Sequence, residues 1–280
     1  MTVADRILDA GDRLTVAERR VAEAVVAAPS RVAFGTVAEL AMRSGASGPT
    51  VLRFAAKLGF VGFAALQGAV QEELSRQLRP AVERIRATPA TSPLARAAEV
   101  EAANVTSTLD AVDPDAFDRT VGLLADRRHR VHVLAGEDSA GVATTIAGEL
   151  DLLREGVGVL SGSAVAVARS LARVDPGDVV LAVELRRYER WVLEAAAAAT
   201  SRGATLVAVT DSLLSPLAEG ATVAFVVAAA GTGPFDSHVG ILALGNALVA
   251  GVALRLRASA TARLDAVEAA MAGVNALTDR

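Results

Sequence analysis

The chain has 280 residues, 52% of them hydrophobic but only 3% aromatic, with no cysteine and a net charge of −4. That length fits two domains better than one, and the lack of cysteine excludes disulfides and Cys-ligated zinc or iron–sulfur sites. No run of about 18 apolar residues is present, as a membrane span would need, and Met1–Arg6 lacks the basic-then-apolar layout of a signal peptide. A soluble, cytoplasmic chain without a membrane partner is expected.

The charge is uneven. Residues 1–80 carry ten basic and eight acidic side chains, and residues 81–280 carry eighteen and twenty-four. A phosphate-facing surface therefore belongs at the N-terminal end. The first 80 residues read as helices throughout. Thr15–Ala28 places Val21, Ala24, Val25 and Ala28 on one face, with Thr15 and Glu18 spaced as a capping box. A short helix follows at Thr36–Ser44 and breaks at Gly45-Ala46-Ser47. The next runs from about Pro49 to Leu58, with Gly59 as its C-cap, and helical signal resumes at Phe63–Leu78.

Pro80, Pro89 and Pro93, with Thr88, Thr91 and Ser92, mark a linker near 79–93. A helix over about Leu94–Leu109 is expected to pack on the second domain. From Asp115 onward short apolar runs recur: Val131–Ala135, Val157–Leu160, Val179–Val183, Thr205–Thr210 and Val223–Val227. They alternate with helices near 139–155, 163–173, 190–202 and 236–256, the pattern of a five-stranded parallel sheet covered on both faces. The predicted fold is α/β overall. An all-α helix-turn-helix domain spans 1–79, a linker and connecting helix 80–110, and an α/β domain 111–280.

Ala41-x3-Gly45-x5-Val51 is the spacing of a helix-turn-helix. A small residue allows close helix approach, glycine supplies a positive-φ turn, and a β-branched residue anchors the second helix. An ordinary helical corner has the same spacing. The following residues favour DNA: Ser47 at a cap position, then Gly48, Pro49 and Thr50 in the first turn, with Arg53 and Lys57 recurring at i+4 on one face while Val51, Phe54 and Leu58 point inward. Such a helix presents its N-terminal residues to base edges and its basic side chains to guanine or phosphate of double-stranded operator DNA.

At this point the chain resembles the RpiR-type (MurR/RpiR) bacterial regulators. The resemblance rests on Leu14-Thr15-Val16-Ala17-Glu18-Arg19-Arg20-Val21-Ala22, on Thr36-Val37-Ala38-Glu39-Leu40-Ala41, and on the stretch from Ser47 to Phe60 followed by Gly62-Phe63. It covers nearly the whole chain. It implies a DNA-binding domain in front of a SIS (sugar isomerase) domain that binds phosphosugars.

In an open parallel sheet, ligands sit beyond the carboxyl ends of the strands, where helix N-termini offer N–H donors. Three such loops are readable. In Gly136-Glu137-Asp138-Ser139, Ser139 matches a phosphate-contacting serine that the resemblance implies, or is a simple helix cap, while Glu137 replaces a usual glycine. After Val179–Val183 the Ser/Thr-rich loop usual in the family is replaced by Glu184-Leu185-Arg186-Arg187-Tyr188-Glu189-Arg190-Trp191. Arg186 and Arg187 at a helix start oppose its dipole, a conflict that an anionic ligand removes, since arginine binds carboxylate or phosphate bidentately. Glu184 and Glu189 are the alternative partners. The third loop is Pro234-Phe235-Asp236-Ser237-His238, whose Ser237 matches a further SIS serine and, like Asp236, is a possible cap.

The expected effector is a small anionic metabolite, a phosphosugar or sugar acid, held by Ser139, Arg186, Arg187 and Ser237. His129 and His132, at i and i+3 across the first strand, face opposite ways and share no metal. No cofactor and no catalytic residue are called for, so an effector-gated transcriptional regulator that is not an enzyme is the leading reading. A homodimer or homotetramer is expected, because paired recognition helices match paired half-sites. Two alternatives stand beside it: a sugar-phosphate isomerase using Glu137, Glu184 or His238 as base, and a SIS domain kept only for dimerisation.

Overall fold

The computed structural model describes residues 2–77, 80–87, 92–274 and 276. Of the linker expected at 79–93, residues 79 and 88–91 fall outside the described residues. Contacts divide the chain into two compact units, one comprising Met1–Ala87 with Ser212–Glu219, the other Thr88–Asp211 with Gly220–Arg280.

The first unit is helical: α1 (Val3–Ala10), α2 (Val16–Ala27), α3 (Pro29–Phe34), α4 (Val37–Ser44), α5 (Gly48–Lys57), α6 (Phe63–Gln77) and α7 (Ala81–Ala87). Helices α2 and α4 each open on a complete capping box, Thr15 with Glu18 and Thr36 with Glu39. Helices α1, α3 and α7 have no counterpart in the sequence expectation. Pro29 opens α3, a place proline tolerates because the first N–H groups have no helical partner. Helix α7 lies within the proline-punctuated stretch expected to be linker. The core gathers Val21, Val25, Val51, Phe54, Leu66 and Val70. Leu214 of the Ser212–Glu219 segment joins it, and buried Glu73 accepts from the Val3 N–H at 3.0 Å and the Ser212 hydroxyl at 2.9 Å.

The second unit begins with α8 (Pro93–Asp110) and α9 (Pro114–Ala125). It continues β1 (Val131–Ala135), α10 (Ala140–Leu153), β2 (Val157–Leu160), α11 (Ala164–Leu171), β3 (Val179–Glu184), α12 (Arg190–Ser201), β4 (Thr205–Thr210) and β5 (Val223–Val226). It ends with α13 (Val239–Arg255) and α14 (Arg257–Gly273). All five strands are parallel, in the order β2-β1-β3-β4-β5. Helices on both faces leave β3 buried along its whole length, hence its unbroken apolar run. Helices α9 and α14 go beyond the sequence expectation.

Two polar devices hold this unit. Asn104 on α8 bonds both the N–H and the C=O of Ala230, and the Thr108 hydroxyl accepts from the Ala228 N–H at 2.9 Å. Helix α8 thereby satisfies backbone groups past β5 that would otherwise be orphaned. Arg154, 1% exposed, donates to the carbonyls of Leu124 (2.7 Å), Asp126 (2.9 Å), His129 and Glu155 (2.9 Å). Its guanidinium ties the end of α9 and the turn before β1 to the end of α10. No single helix among the described residues is long and apolar enough to cross a membrane.

Candidate functional site

In the helical unit, Thr36 and Glu39 fix the start of α4, and its end turns through Gly45 at φ 58°, ψ 32°. The Ala46 N–H returns to the Ala41 carbonyl at 2.9 Å, closing the turn. Helix α5 then packs on α4 through Val51 and Phe54, both fully buried. Ser47 sits at the N-cap, but its hydroxyl bonds Thr50 Oγ1 at 2.9 Å rather than a backbone N–H. Arg53 Nη2 donates to the same oxygen at 3.1 Å, so buried Thr50 organises the first turn. Ser47, Pro49, Arg53 and Lys57 are exposed. Arg6 on α1 stacks over Phe60 and donates to the Leu58 carbonyl at 2.8 Å, anchoring the far end of α5.

Lys57 has a second engagement. Its Nζ lies 2.6 Å from Glu18 Oε2 and 2.8 Å from the Arg13 carbonyl. Burial pushes the Glu18 carboxyl up, but hydrogen bonds from Lys57 and Thr15 outweigh it and bring the pKa to about 2. That contribution to stability is present above pH 4.5 and lost as pH falls towards 2. Lys57→Ala is therefore expected to destabilise the helical unit near neutral pH and to shrink this acid-dependent loss. Equal melting temperatures for wild type and variant at pH 7 would contradict the pairing.

In the α/β unit, β1 lies between β2 and β3, so the connections reverse direction there. The crevice past the carboxyl ends of β1 and β3 is where an open sheet places a ligand. Its walls are the loops after Ala135 and after Glu184. The Gly136 N–H donates to Glu184 Oε2 at 2.9 Å, and the Glu137 N–H donates to Glu189 Oε1. Glu189 Oε2 accepts from Trp191 Nε1 at 2.6 Å. The glycine leaves room for both carboxyl groups: a Cβ at Gly136 would stand 2.4 Å from Glu184 Oε2 and 2.6 Å from Glu189 Oε1, and the two glutamates would have to move aside. Burial, and then the neighbouring Glu189 charge, push Glu184 up to about 8 despite the amide donors, so it holds a proton at neutral pH.

The second carboxylate group is built around Arg186. Its Nε donates to Asp236 Oδ1 at 2.7 Å and Nη2 bonds the same oxygen. The Tyr188 hydroxyl donates to Asp211 Oδ1 at 2.8 Å, and burial raises the pKa of Asp211. The sequence offered Glu184 and Glu189 as internal partners for the arginines. The structure corrects this: both glutamates turn to backbone amides of the β1 loop, and Asp236, fifty residues away in the chain, takes Arg186. Arg187 is exposed, in left-handed backbone at φ 68°.

Ser139 is buried, and its hydroxyl makes no cap bond. Ser237 accepts from the Val239 N–H at 3.2 Å and its hydroxyl donates to Glu101. His238 Nε2 is buried without a hydrogen-bond partner among the described residues. His132 Nε2 lies 3.1 Å from Asp178 Oδ2, and no metal-ligating group of three or more is found among the described residues. The pairing of Asp236 with Arg186, and of Glu184 and Glu189 with the amides of the Gly136 loop, was missed from sequence. Their separations in the chain carry no periodic signal.

Comparison with known proteins follows the same division. The family described as "Helix-turn-helix domain, rpiR family" matches residues 1–77, and the SIS domain family matches residues 123–251. The HTH-type transcriptional regulator HexR of Pseudomonas aeruginosa is 28% identical over 216 residues, covering 75% of this chain and 73% of that protein. The sugar isomerase domain of an RpiR transcription factor from Sphaerobacter thermophilus is 33% identical with a TM-score of 0.57, covering 60% of this chain and 93% of that one. The Vibrio vulnificus NanR protein complexed with ManNAc-6P shares the fold over 99% of this chain and 100% of its own, with a TM-score of 0.56 at 20% identity.

Proposed function

This chain belongs to the RpiR family of transcriptional regulators, with a helix-turn-helix domain and a SIS domain, and from that premise we propose that α5 reads operator DNA while the SIS domain senses a small anionic metabolite and alters that binding. The observation that carries the reading is the division of α5. It buries Val51 and Phe54 against α4 and exposes Ser47, Pro49, Arg53 and Lys57 on one side. Arg53 meets guanine or phosphate, Lys57 adds positive charge, and Gly48 and Thr50 shape the turn that brings the backbone to the groove.

The NanR protein is complexed with ManNAc-6P, which supports a small-molecule ligand for this chain, and an open parallel sheet places one at its strand ends. Ser139, Ser237, Arg186 and Arg187 belong to the loops at that end of the sheet, and Arg187 carries an exposed cation. A homodimer presents two α5 helices to paired half-sites. Leu94 and Leu109 on α8, with Leu254 on α13, remain exposed and suit that interface. Sedimentation of the purified protein is expected to give a dimer or tetramer at micromolar concentration. A monomer, with DNA and without it, would count against the assembly.

Arg53→Ala is expected to weaken binding to a selected operator by about ten- to a hundredfold, the equivalent of about 1–3 kcal/mol, and to relax base preference at one position. Melting temperature should hardly move. Unchanged affinity for operator over scrambled duplex would remove α5 as the reading helix. On the sensing side, Arg187→Ala should abolish the response to effector while leaving both fold and DNA binding in place. Arg186→Ala should in addition lower thermal stability, because it removes two N–H donors from Asp236 Oδ1.

A further inference from the structure

A phosphoryl group in a site of this kind is held by backbone N–H groups at a strand-to-helix turn. Here two of those donors are taken. The amide of Gly136 is bonded to Glu184 and the amide of Glu137 to Glu189, with both carboxyl groups packed against the Gly136 Cα. The occupants come from the segment that carries Arg186 and Arg187, so the chain has placed its own two carboxyl groups, Glu184 in its neutral form, where an anion is expected. Trp191 and the Gly136 backbone hold them in position.

We infer that Glu184 and Glu189 stand in for the ligand's phosphoryl group, so that the effector is a non-phosphorylated sugar acid whose hydroxyls are recognised by the carboxyl oxygens. This rests on the proposed sensing role of the SIS domain and narrows it. A phosphate brought to the Gly136 loop finds the Gly136 and Glu137 N–H donors satisfied and meets Glu189, a repulsive element of the kind that rejects wrong ligands. A polyol brings the opposite chemistry. Each hydroxyl is a donor, and the Glu189 and Glu184 oxygens at the loop are acceptors. One negative charge on the ligand is still matched, because Arg187 is exposed and makes no hydrogen bond or ion pair among the described residues. Arginine suits a carboxylate through its fork of N–H donors.

The test uses matched probes that differ by one phosphoryl group. Gluconate and 6-phosphogluconate, with galactonate and glucuronate and their phosphorylated counterparts, are titrated calorimetrically against the full-length protein. The wild-type protein is expected to bind at least one sugar acid and to lose about tenfold or more in affinity when the phosphoryl group is added. Glu189→Ser frees the Glu137 amide, removes the charge and supplies a hydroxyl. It should recover most of that loss for the phosphorylated probe, and Glu189→Gln, which removes the charge alone, should recover part of it. Wild-type binding of a phosphorylated probe as tight as its parent, or a loss that Glu189→Ser leaves in place, would overturn the inference and leave the sensing role standing. Binding of no probe by the wild-type protein, together with operator affinity indifferent to all of them, would overturn both.

Discussion

Arg154→Ala is expected to be among the most destabilising single changes in the α/β unit, on the order of 3–5 kcal/mol. The guanidinium is buried and serves the carbonyls of Leu124, Asp126, His129 and Glu155. Truncation leaves these acceptors in a space too enclosed for ready hydration, and opens a cavity beside them. Burial lowers the arginine pKa, while Asp126 and Asp178 act in the opposite direction. Arg154→Lys should rescue little, since an ammonium on a flexible stem cannot span the carbonyls of three segments. The measurement is the urea midpoint at constant slope. A shift equivalent to less than about 1 kcal/mol would mean that the network is dispensable.

Glu184→Gln is expected to remove a large pH dependence. The folded-state pKa is about 8 against an ordinary 4.5, because the side chain is buried and Glu189 and Asp138 repel its charge. Below pH 4.5 the folded and unfolded chains both hold the proton, and the contribution to stability is whole. Between 4.5 and 8 the unfolded chain has released a proton that the fold retains, so stability falls as pH rises, by up to about 1.4 kcal/mol per unit. Above 8 the loss is complete. Glutamine keeps an acceptor for the Gly136 amide, as the protonated acid does, and carries no charge at any pH. The variant should therefore match wild type near pH 4.5 and be clearly more stable at pH 8. Parallel melting curves for the two proteins from pH 5 to 8 would contradict a neutral Glu184.

Much of the fold was legible because burial on both sheet faces forces continuous apolar runs in β1, β3 and β4. Val131–Ala135, Val157–Leu160 and Thr205–Thr210 are strands with those limits, and β3 and β5 differ from expectation by one residue each. The helix-turn-helix was legible for a different reason: Gly45 at positive φ and the Thr15–Glu18 capping box are local signals needing no tertiary context, whereas the second box, Thr36 with Glu39, emerged only in the structure. Helix α14 was not, because Ala260 is its only buried residue among those described and its apolar positions form no stripe. Helix α3 was hidden behind Pro29, and α7 behind the prolines around it.

The loops of the candidate site were legible from sequence, but the pairings among their side chains were not. Strand ends and loop positions follow from topology, and Arg186 stood out by replacing the expected hydroxyls. Its partner Asp236 and the turn of Glu184 and Glu189 onto the Gly136 loop depend on which side chains meet across the crevice. Nothing in residue spacing encodes that. The sequence also presented Glu184 as a charged neighbour, whereas burial makes it a neutral one at pH 7.

The central claim is that one chain couples operator reading to a small anion, and operator affinity measured with and without ligand tests it most directly. Duplexes selected from a random pool by the full-length protein are titrated at fixed salt, alone and with saturating sugar acid or phosphosugar. The expected result is binding about a thousandfold or more tighter than to scrambled duplex. At least one compound should shift that affinity by about 5–150-fold, and Arg187→Ala should abolish the shift. Selection yielding no preferred sequence, or an affinity that no compound moves while a phosphosugar is turned over, would contradict it.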